Sequence, residues 1–440
     1  MSYPPRRSFL KSAAAAAAGT LVAAPAVAYG RILGANERVN LGIIGMGRQA
    51  RGLMRNFNRE SDARVVAIAE VFEPNVTWAK REDPNLAVYT DLRHLVYRQD
   101  IDAVIVATPD HWHAAATIMA VNAGKDVYVE KPTAVVVRES RAMVEAARRN
   151  DRIVQVGTQQ RSQRHFQDAV EFIRGGGLGT VSFVRTWNYG NAFPDGFGNA
   201  PDTEPPPNLV WDLWLGPAPN VPYNQNRFGV FLNQDLEYQT WGTWRYFFDY
   251  GGGMMTDWGV HLLDIVHWAM DVRAPETVAA VGGKFHIRDN RDTPDTLTAT
   301  YRYPGFVVHY ENRQLNGMGL EGHGYGIMFH GTAGTMFIDR GGYAVTPDNG
   351  SGIEPITNSN NDAPISHQRH FLDAIRSRNL PNSDIEIGHR STTAAMLGNV
   401  AYLTGRTIHW DGENERVLDD PEADALLDRR YREPWDLSSL

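Results

Sequence analysis

The chain has 440 residues, 42% of them hydrophobic and 21% charged, with a formal net charge of −8. That length carries two domains and a sizeable core, and the composition is that of an ordinary globular protein. The acidic balance, with no long basic run after the N-terminal segment, argues against nucleic acid as the main partner. The absence of cysteine excludes disulfides, thiolate catalysis and thiolate metal sites.

At the N-terminus, Arg6-Arg7-Ser8-Phe9-Leu10-Lys11 precedes an alanine-rich run from Ala13 to Val27, and Ala26-Val27-Ala28 suits a small-residue cleavage site. Residues 1–28 read as a twin-arginine export signal, although Pro5 stands where a Ser or Thr usually precedes the arginine pair. The run is too short and too rich in alanine for a membrane span, and no other candidate is visible. The expected product is an exported, periplasmic protein that begins near Tyr29 and has no stable membrane insertion.

Val39 to Ile44 reads as a strand covered on both faces. Gly45-Met46-Gly47-Arg48-Gln49-Ala50 follows and opens a helix over about Gly47 to Asn58. The two glycines supply a turn and a close backbone approach, and Ala50 lets the helix sit near the strand. The helix N-terminus then suits a pyrophosphate. A second strand, Arg64 to Ala69, ends in Glu70, about 25 residues past Gly45, where an acid meets ribose hydroxyls. The other reading of Glu70 is a solvated strand-end acid. The ribose role is favoured, and such a carboxylate prefers NAD to NADP by repelling a 2′-phosphate.

Strands and helices continue to alternate: a helix near Pro74 to Arg81, a strand at Ile101 to Ala107, a helix at Trp112 to Ala123, a strand at Asp126 to Glu130, a helix at Arg138 to Arg149 and a strand at Ile153 to Val156. That rhythm implies a parallel sheet with helices on both faces and functional residues at the carboxyl ends of the strands. Two such ends stand out, Thr108-Pro109-Asp110-His111-Trp112-His113 and Glu130-Lys131-Pro132. Alone, His113 is more often a helix-start histidine and Lys131 a surface lysine. Here both fall where a nicotinamide ring would lie.

A helix near Gln163 to Arg174 and the glycines at 175–177 and 179 mark a boundary. Val181 to Tyr189 alternates as a strand, and Asn191 to Asn226 has little regular pattern, which is typical of a functional loop. A helix is expected over Thr256 to Met270. Strands follow at Thr277 to Ile287, Asp295 to Tyr303, Gly305 to Glu311, Tyr325 to His330, Thr335 to Asp339 and Tyr343 to Thr346, with consecutive ones antiparallel. Helices near Ile365 to Arg378 and Thr392 to Thr404 close the domain. The expected fold class is an α/β Rossmann domain, residues 29–178, plus an α+β domain with a largely antiparallel sheet, residues 179–440.

Within Asp257-Trp258-Gly259-Val260-His261-Leu262-Leu263-Asp264, Asp257 and His261 share a helix face. An imidazole beside a carboxylate accepts a hydroxyl proton near neutral pH. The competing reading is an N-cap Asp257 with a packed His261. A metal pair is a poor third, because H-x-x-D has no further ligand nearby.

Taken together, Gly45-x-Gly47-x-x-Ala50, Thr108-Pro109-x-x-x-His113, Glu130-Lys131-Pro132 and Asp257-x-x-x-His261 resemble the Gfo/Idh/MocA oxidoreductases, most closely their inositol dehydrogenase-like and glucose-fructose oxidoreductase-like members. The resemblance runs from about Arg31 to the C-terminal helices. It implies an open-faced sheet that makes a homo-oligomer contact (dimer or tetramer), NAD with NADP as the alternative, a carbohydrate or cyclitol substrate, and no metal. By position match, Gly45, Met46, Gly47, Arg48, Glu70, Thr108, Pro109, His113, Glu130 and Lys131 bind cofactor. Lys131 polarises or helps deprotonate the reacting hydroxyl, His261 is the general acid/base, and Asp257 is its neighbour or a substrate-hydroxyl binder. Trp244 and Arg161 are candidate substrate contacts; Arg161 is about as readily structural. Asp110 in place of the commoner Asn, and Ala50 in place of a third Gly, remove no group the chemistry needs.

The resemblance allows an oxidoreductase with tightly held cofactor, or a glycosidase working by transient oxidation, elimination and re-reduction. A non-catalytic nucleotide or sugar sensor stands well behind, since Lys131 and His261 are both present. Trp187, Trp211, Trp214, Trp241 and Trp244 are many indoles for one domain; most are expected to be packing residues.

Overall fold

The computed structural model describes residues 38–231, 240–359, 362–363 and 365–437. The expected export signal lies outside the described residues, as does the side chain of Trp241.

The first half follows the order β1 (Val39–Ile44), α1 (Arg48–Phe57), β2 (Ala63–Ala69), α2 (Glu73–Glu82), β3 (Ala87–Tyr89), α3 (Leu92–Val96), β4 (Ala103–Val106), α4 (His113–Asn122), β5 (Asp126–Val129), α5 (Val137–Arg149) and β6 (Val154–Val156). The six strands form one sheet in the order β3-β2-β1-β4-β5-β6, every pair parallel. Every residue of β4, β5 and β6 is buried, which explains their continuous apolar runs. The strand order reverses between β1 and β4, opening a crevice at their carboxyl ends where ligands bind in such sheets. The sequence reading missed β3 and α3. Both are short, and α3 is set by Asp91, whose side chain accepts a hydrogen bond from the Arg93 amide.

Helix α6 (Arg164–Arg174) leads through the glycine turn to β7 (Val181–Tyr189). Among the described residues of 190–250 the elements are short, α7 (Trp211–Leu215) among them. There Trp211 and Trp214 stack at 4.6 Å and join Phe72, Phe228, Phe247 and Tyr250 in a small apolar cluster.

The single helix expected over Thr256 to Met270 is two, α8 (Gly253–Asp257) and α9 (Gly259–Met270), parted at Trp258. The physical reason is Lys131. Its ammonium donates to the Asp257 carbonyl at 2.9 Å, the acceptor a continuous helix would offer to residue 261.

Next come β8 (Thr277–Gly283), β9 (Thr296–Tyr303), β10 (Phe306–Arg313), β11 (Tyr325–Gly331), β12 (Gly334–Asp339), β13 (Gly342–Pro347) and β14 (Ile356–Asn358). Helices α10 (His367–Ser377) and α11 (Ile385–Thr404) and short strands β15 (Ile408–Asp411) and β16 (Arg416–Val417) follow. The ten-stranded sheet is ordered β14-β13-β12-β11-β7-β10-β9-β8-β15-β16. Consecutive strands are antiparallel as expected, but β7 inserts between β11 and β10 and runs parallel to β10. The strand expected to reach Ile287 stops at Gly283, because the amides of Phe285, His286 and Ile287 turn onto one oxygen of Asp295.

The main apolar core is shared. It runs from Ile44, Val104 and Val129 of the parallel sheet through Leu263 and Val266 of α9 to Leu297, Tyr301, Leu397 and Trp435. Among the described residues, no helix is long and apolar enough to cross a membrane.

Candidate active site

Gly45 has φ +81°, and a Cβ there would lie 2.9 Å from the Ala107 carbonyl, so the position admits glycine alone. At Gly47 a Cβ would meet nothing within 4 Å, which leaves room for a ligand against the backbone. Helix α1 starts at Arg48 with no side-chain cap, so its first amides are free for an anion. Glu70 is buried beneath the turn. Its Oε2 accepts from the Met46 amide at 2.6 Å and from Asn75 at 3.0 Å, and its Oε1 accepts from the Val71 and Phe72 amides. Burial raises its pKa, and these bonds oppose the rise. Glu70 therefore shapes the turn as well as facing the cleft. Glycine backbone, open amides and a strand-end acid around a cavity of about 190 Å³ fit a dinucleotide.

A second cavity, about 680 Å³, shares Arg48, Gln49, Ala107, Thr108, Gly242, Trp244 and Arg245 with the first, so the two form one cleft. Its walls bring together Asp110, His113, Glu130, Lys131, Asp257, Trp258, His261 and Arg340. The Lys131 ammonium donates to Asp257 Oδ1 at 2.9 Å, and Arg245 Nε lies 3.3 Å from the same oxygen. Burial pushes the Asp257 pKa up, but Arg245 and Lys131 overcome it and hold the carboxyl well below its usual range. His261 is buried, and its Nδ1 has no hydrogen-bond partner among the described residues. Burial, then the charges of Lys131 and Arg340, hold it well below the usual imidazole value. It is a neutral ring at physiological pH. Asp257 is hydrogen-bonded to Lys131 rather than to His261, which it still faces as a neighbouring charge.

The remaining strand-end residues position these groups. Glu130 accepts from Gln49 at 2.8 Å and Gln159 at 3.1 Å, and Gly157 makes room for it: a Cβ there would fall 2.7 Å from its carboxyl carbon. Burial raises its pKa. His113 bridges the Pro132 carbonyl at 2.6 Å and the Thr108 carbonyl at 3.0 Å, tying the two strand-end loops together. Burial lowers its pKa to about 4, so it is neutral and donates to one carbonyl at a time. Asp110 is buried at the cavity wall, and burial raises its pKa well above the carboxylate range.

Thr108 and Pro109 line the cleft and Trp244 stands where its two parts meet, with the Arg245 guanidinium 4.6 Å above the Trp244 ring. Of the two readings of Arg161, the structure takes the structural one, and the substrate contact falls. Arg161 lies away from the cleft, its Nε and Nη2 donating to the two carboxylate oxygens of Asp264 at 2.7 and 2.9 Å while the guanidinium covers Trp268. Trp187 is sealed in the core, its indole N–H donating to the His323 carbonyl. Sequence reasoning passed over Arg245, Arg340, Gln49 and Trp435. Arg245 was findable as the one cation within the aromatic run 241–250. Arg340, in the β12–β13 turn, and Trp435 carry no local signal.

Fold and cleft together define an NAD-binding oxidoreductase. Residues 39–158 match the NAD-binding Rossmann fold of the GFO/IDH/MocA oxidoreductase family, and residues 179–437 match that family's C-terminal alpha/beta domain. The chain belongs to this family. It is 29% identical over 151 residues to 1-carboxy-3-chloro-3,4-dihydroxycyclo hexa-1,5-diene dehydrogenase of Comamonas testosteroni, covering 34% of this chain. It is 34% identical over 172 residues to a glycosyl hydrolase family 109 protein of Shewanella sp. ANA-3, covering 33% of this chain. Each match spans 38% of the relative's own length. Among solved structures, the aldose-aldose oxidoreductase of Caulobacter crescentus complexed with glycerol shares the fold with a TM-score of 0.63, at 20% identity over 85% of this chain and 100% of that one.

Proposed function

We propose that this chain oxidises a secondary hydroxyl of a sugar, glycoside or cyclitol, using NAD that stays bound between turnovers. The observation that carries the reading is the meeting of Lys131, Asp257 and neutral His261 in a cavity continuous with the glycine turn. When bound, NAD accepts the hydride and its two electrons from the carbinol carbon. The chain's own residues manage the proton. His261, uncharged, takes the hydroxyl proton as C–O becomes C=O. Lys131 places an ammonium beside the oxygen that gains negative charge, and Asp257 fixes that ammonium in place. Arg245 holds Asp257 ionised, so the carboxylate does not compete for the proton.

Several further features belong to this proposal. The N-terminal signal exports the protein already folded around its cofactor, which calls for a Kd near or below about 1 nM. Electrons then leave to a second sugar, an exchange consistent with the name of the aldose-aldose oxidoreductase whose fold it shares. The outward sheet face, which exposes Phe183 and Val281, is the proposed homo-oligomer contact. The family 109 relatives favour one alternative, in which the same oxidation acidifies a neighbouring C–H, a glycosidic group is eliminated, water adds and the hydride returns.

The test is pre-steady-state reduction of bound cofactor by a panel of sugars and cyclitols. Nicotinamide absorbance in freshly purified protein and its reduction by at least one sugar are expected. If no sugar reduces it while an aryl glycoside is hydrolysed, the glycosidase reading replaces this one.

A further inference from the structure

Residues 427–437 run across the Rossmann half rather than along the sheet that precedes them. Arg429 donates to Glu139 at 2.6 Å, to the His111 carbonyl at 3.1 Å and to the Asp249 carbonyl at 3.0 Å. Arg432 donates to Asp212 Oδ1 at 2.6 Å, to the Asp212 carbonyl at 2.9 Å and to the Gly216 carbonyl at 3.1 Å. These charge-assisted bonds fasten the segment to α5, to the loop before α4 and to the end of α7. They deliver Trp435 edge-on to Trp112 at 4.8 Å, beneath the Arg93 guanidinium at 5.3 Å. Trp112 in turn donates its indole N–H to the Trp214 carbonyl at 2.9 Å. Gly216 is glycine for this packing: φ is +49° and a Cβ would lie 2.2 Å from the Trp112 ring.

The junction is a wall of the first cavity. Trp435 lines it with Leu213 and Trp214, and the same cavity is lined by Glu70 at the end of β2, Thr90 after β3 and Leu92 at the start of α3. In a sheet of this order those strand ends receive the adenosine half of a dinucleotide. Trp435 is in neither a helix nor a strand, so it leaves the cavity wall without breaking a ladder. The two halves share one apolar core, so a movement confined to this segment exposes less of that core than a swing of one half away from the other.

We infer that residues 427–437 form a strap that retains the dinucleotide, with Trp435 contacting its adenosine half and Arg432 anchoring Trp435 in place. The inference rests on the proposal that the cofactor stays bound between turnovers. Cofactor release then requires the strap to lift, whereas hydride transfer, at the Lys131 end of the cleft, does not.

The experiment loads purified full-length protein with NADH, chases with excess NAD, and follows loss of energy transfer from tryptophan to NADH. Trp435→Ala and Arg432→Ala are each expected to speed dissociation by about tenfold or more, and Arg432→Ala to keep single-turnover hydride transfer within about twofold of wild type. Arg432 lines neither cavity of the cleft, so its effect separates strap anchoring from loss of a stacking ring. Trp435→Phe and Arg432→Lys keep the ring or the charge and guard against misfolding; about threefold faster release is expected of Arg432→Lys, which loses the forked bonds. Wild-type release rates in Arg432→Lys and in the folded alanine variants overturn the strap. If the wild type binds no dinucleotide, the functional reading falls and the strap with it. If it binds NADH and the variants release it normally, only the strap falls.

Discussion

Two ion pairs join the Rossmann half to the same helical stretch. Lys131 follows β5 and Arg161 follows β6, neighbouring strands of one sheet. Their partners, Asp257 and Asp264, lie about two helical turns apart. Yet Lys131 and Asp257 are each 15% exposed and face the cleft, while Arg161 and Asp264 are 7% and 0% exposed and face none. The arginine fork takes both carboxylate oxygens and closes the pair. The lysine takes one carboxylate oxygen and one carbonyl, which leaves a third N–H for a ligand. The same charges at equivalent places thus become a staple or a reagent, according to how many donors and acceptors are left over and whether a cavity reaches them.

The sharpest way to break this contrast is to remove the staple. Arg161→Met leaves Asp264 buried and unpaired, and a loss of about 3–5 kcal/mol in unfolding free energy is expected, measured by denaturant titration. Turnover per folded molecule should hold; a matching collapse of turnover would make Arg161 part of the chemistry. The next effect is catalytic. Lys131→Met and His261→Ala should each lower turnover by about 100-fold or more while NAD is retained, and the double variant should fall by less than the product. Wild-type reduction rates in either variant would reject that residue's role.

Acid should act next, through the buried histidines. His113 and His367 are lowered to about 4, and His111 and His267 to about 3, all by burial, from an ordinary value of 6.5. The unfolded chain therefore binds more protons than the folded one below 6.5. Stability is fully present above that pH and is lost as pH falls toward 4 and then 3. Melting temperature measured from neutral pH to about pH 4 should fall steadily in that window, the buried carboxyls Asp110 and Glu130 opposing the trend because their pKa values are raised. A flat profile would show that these imidazoles titrate as if exposed. The smallest effect is selectivity. Glu70→Ala should move the NADP/NAD affinity ratio toward NADP by about tenfold. An unchanged ratio, with weaker binding of both, would leave Glu70 only its hydrogen bonds to the Met46, Val71 and Phe72 amides and to Asn75.

How much of this was legible in the sequence depended on how local each cause is. Gly45 and Gly47 announced themselves because the turn, its φ and the close approach of Ala107 lie within one strand-turn-helix unit and its neighbour. Lys131 and His261 were legible as members of spaced motifs. The split at Trp258 was not, because the ammonium that causes it comes from more than a hundred residues away. Arg161 stayed undecided for the same reason: a strand-end arginine looks available until Asp264 is placed against it. Strand β7 was read correctly as a strand, but its parallel pairing with β10 depends on a sheet order that no local pattern encodes.

The common apolar interior has a consequence for how this molecule comes apart. Leu263, Leu297 and Leu397 lie in the same core as Ile44 and Val129, so exposing one half exposes the other. Two sequence-defined domains should then lose their structure in one calorimetric transition, with the van't Hoff enthalpy equal to the measured heat. It also means that either half expressed alone carries an uncovered apolar face, and that swapping halves with a relative demands re-matching an interior as well as a linker.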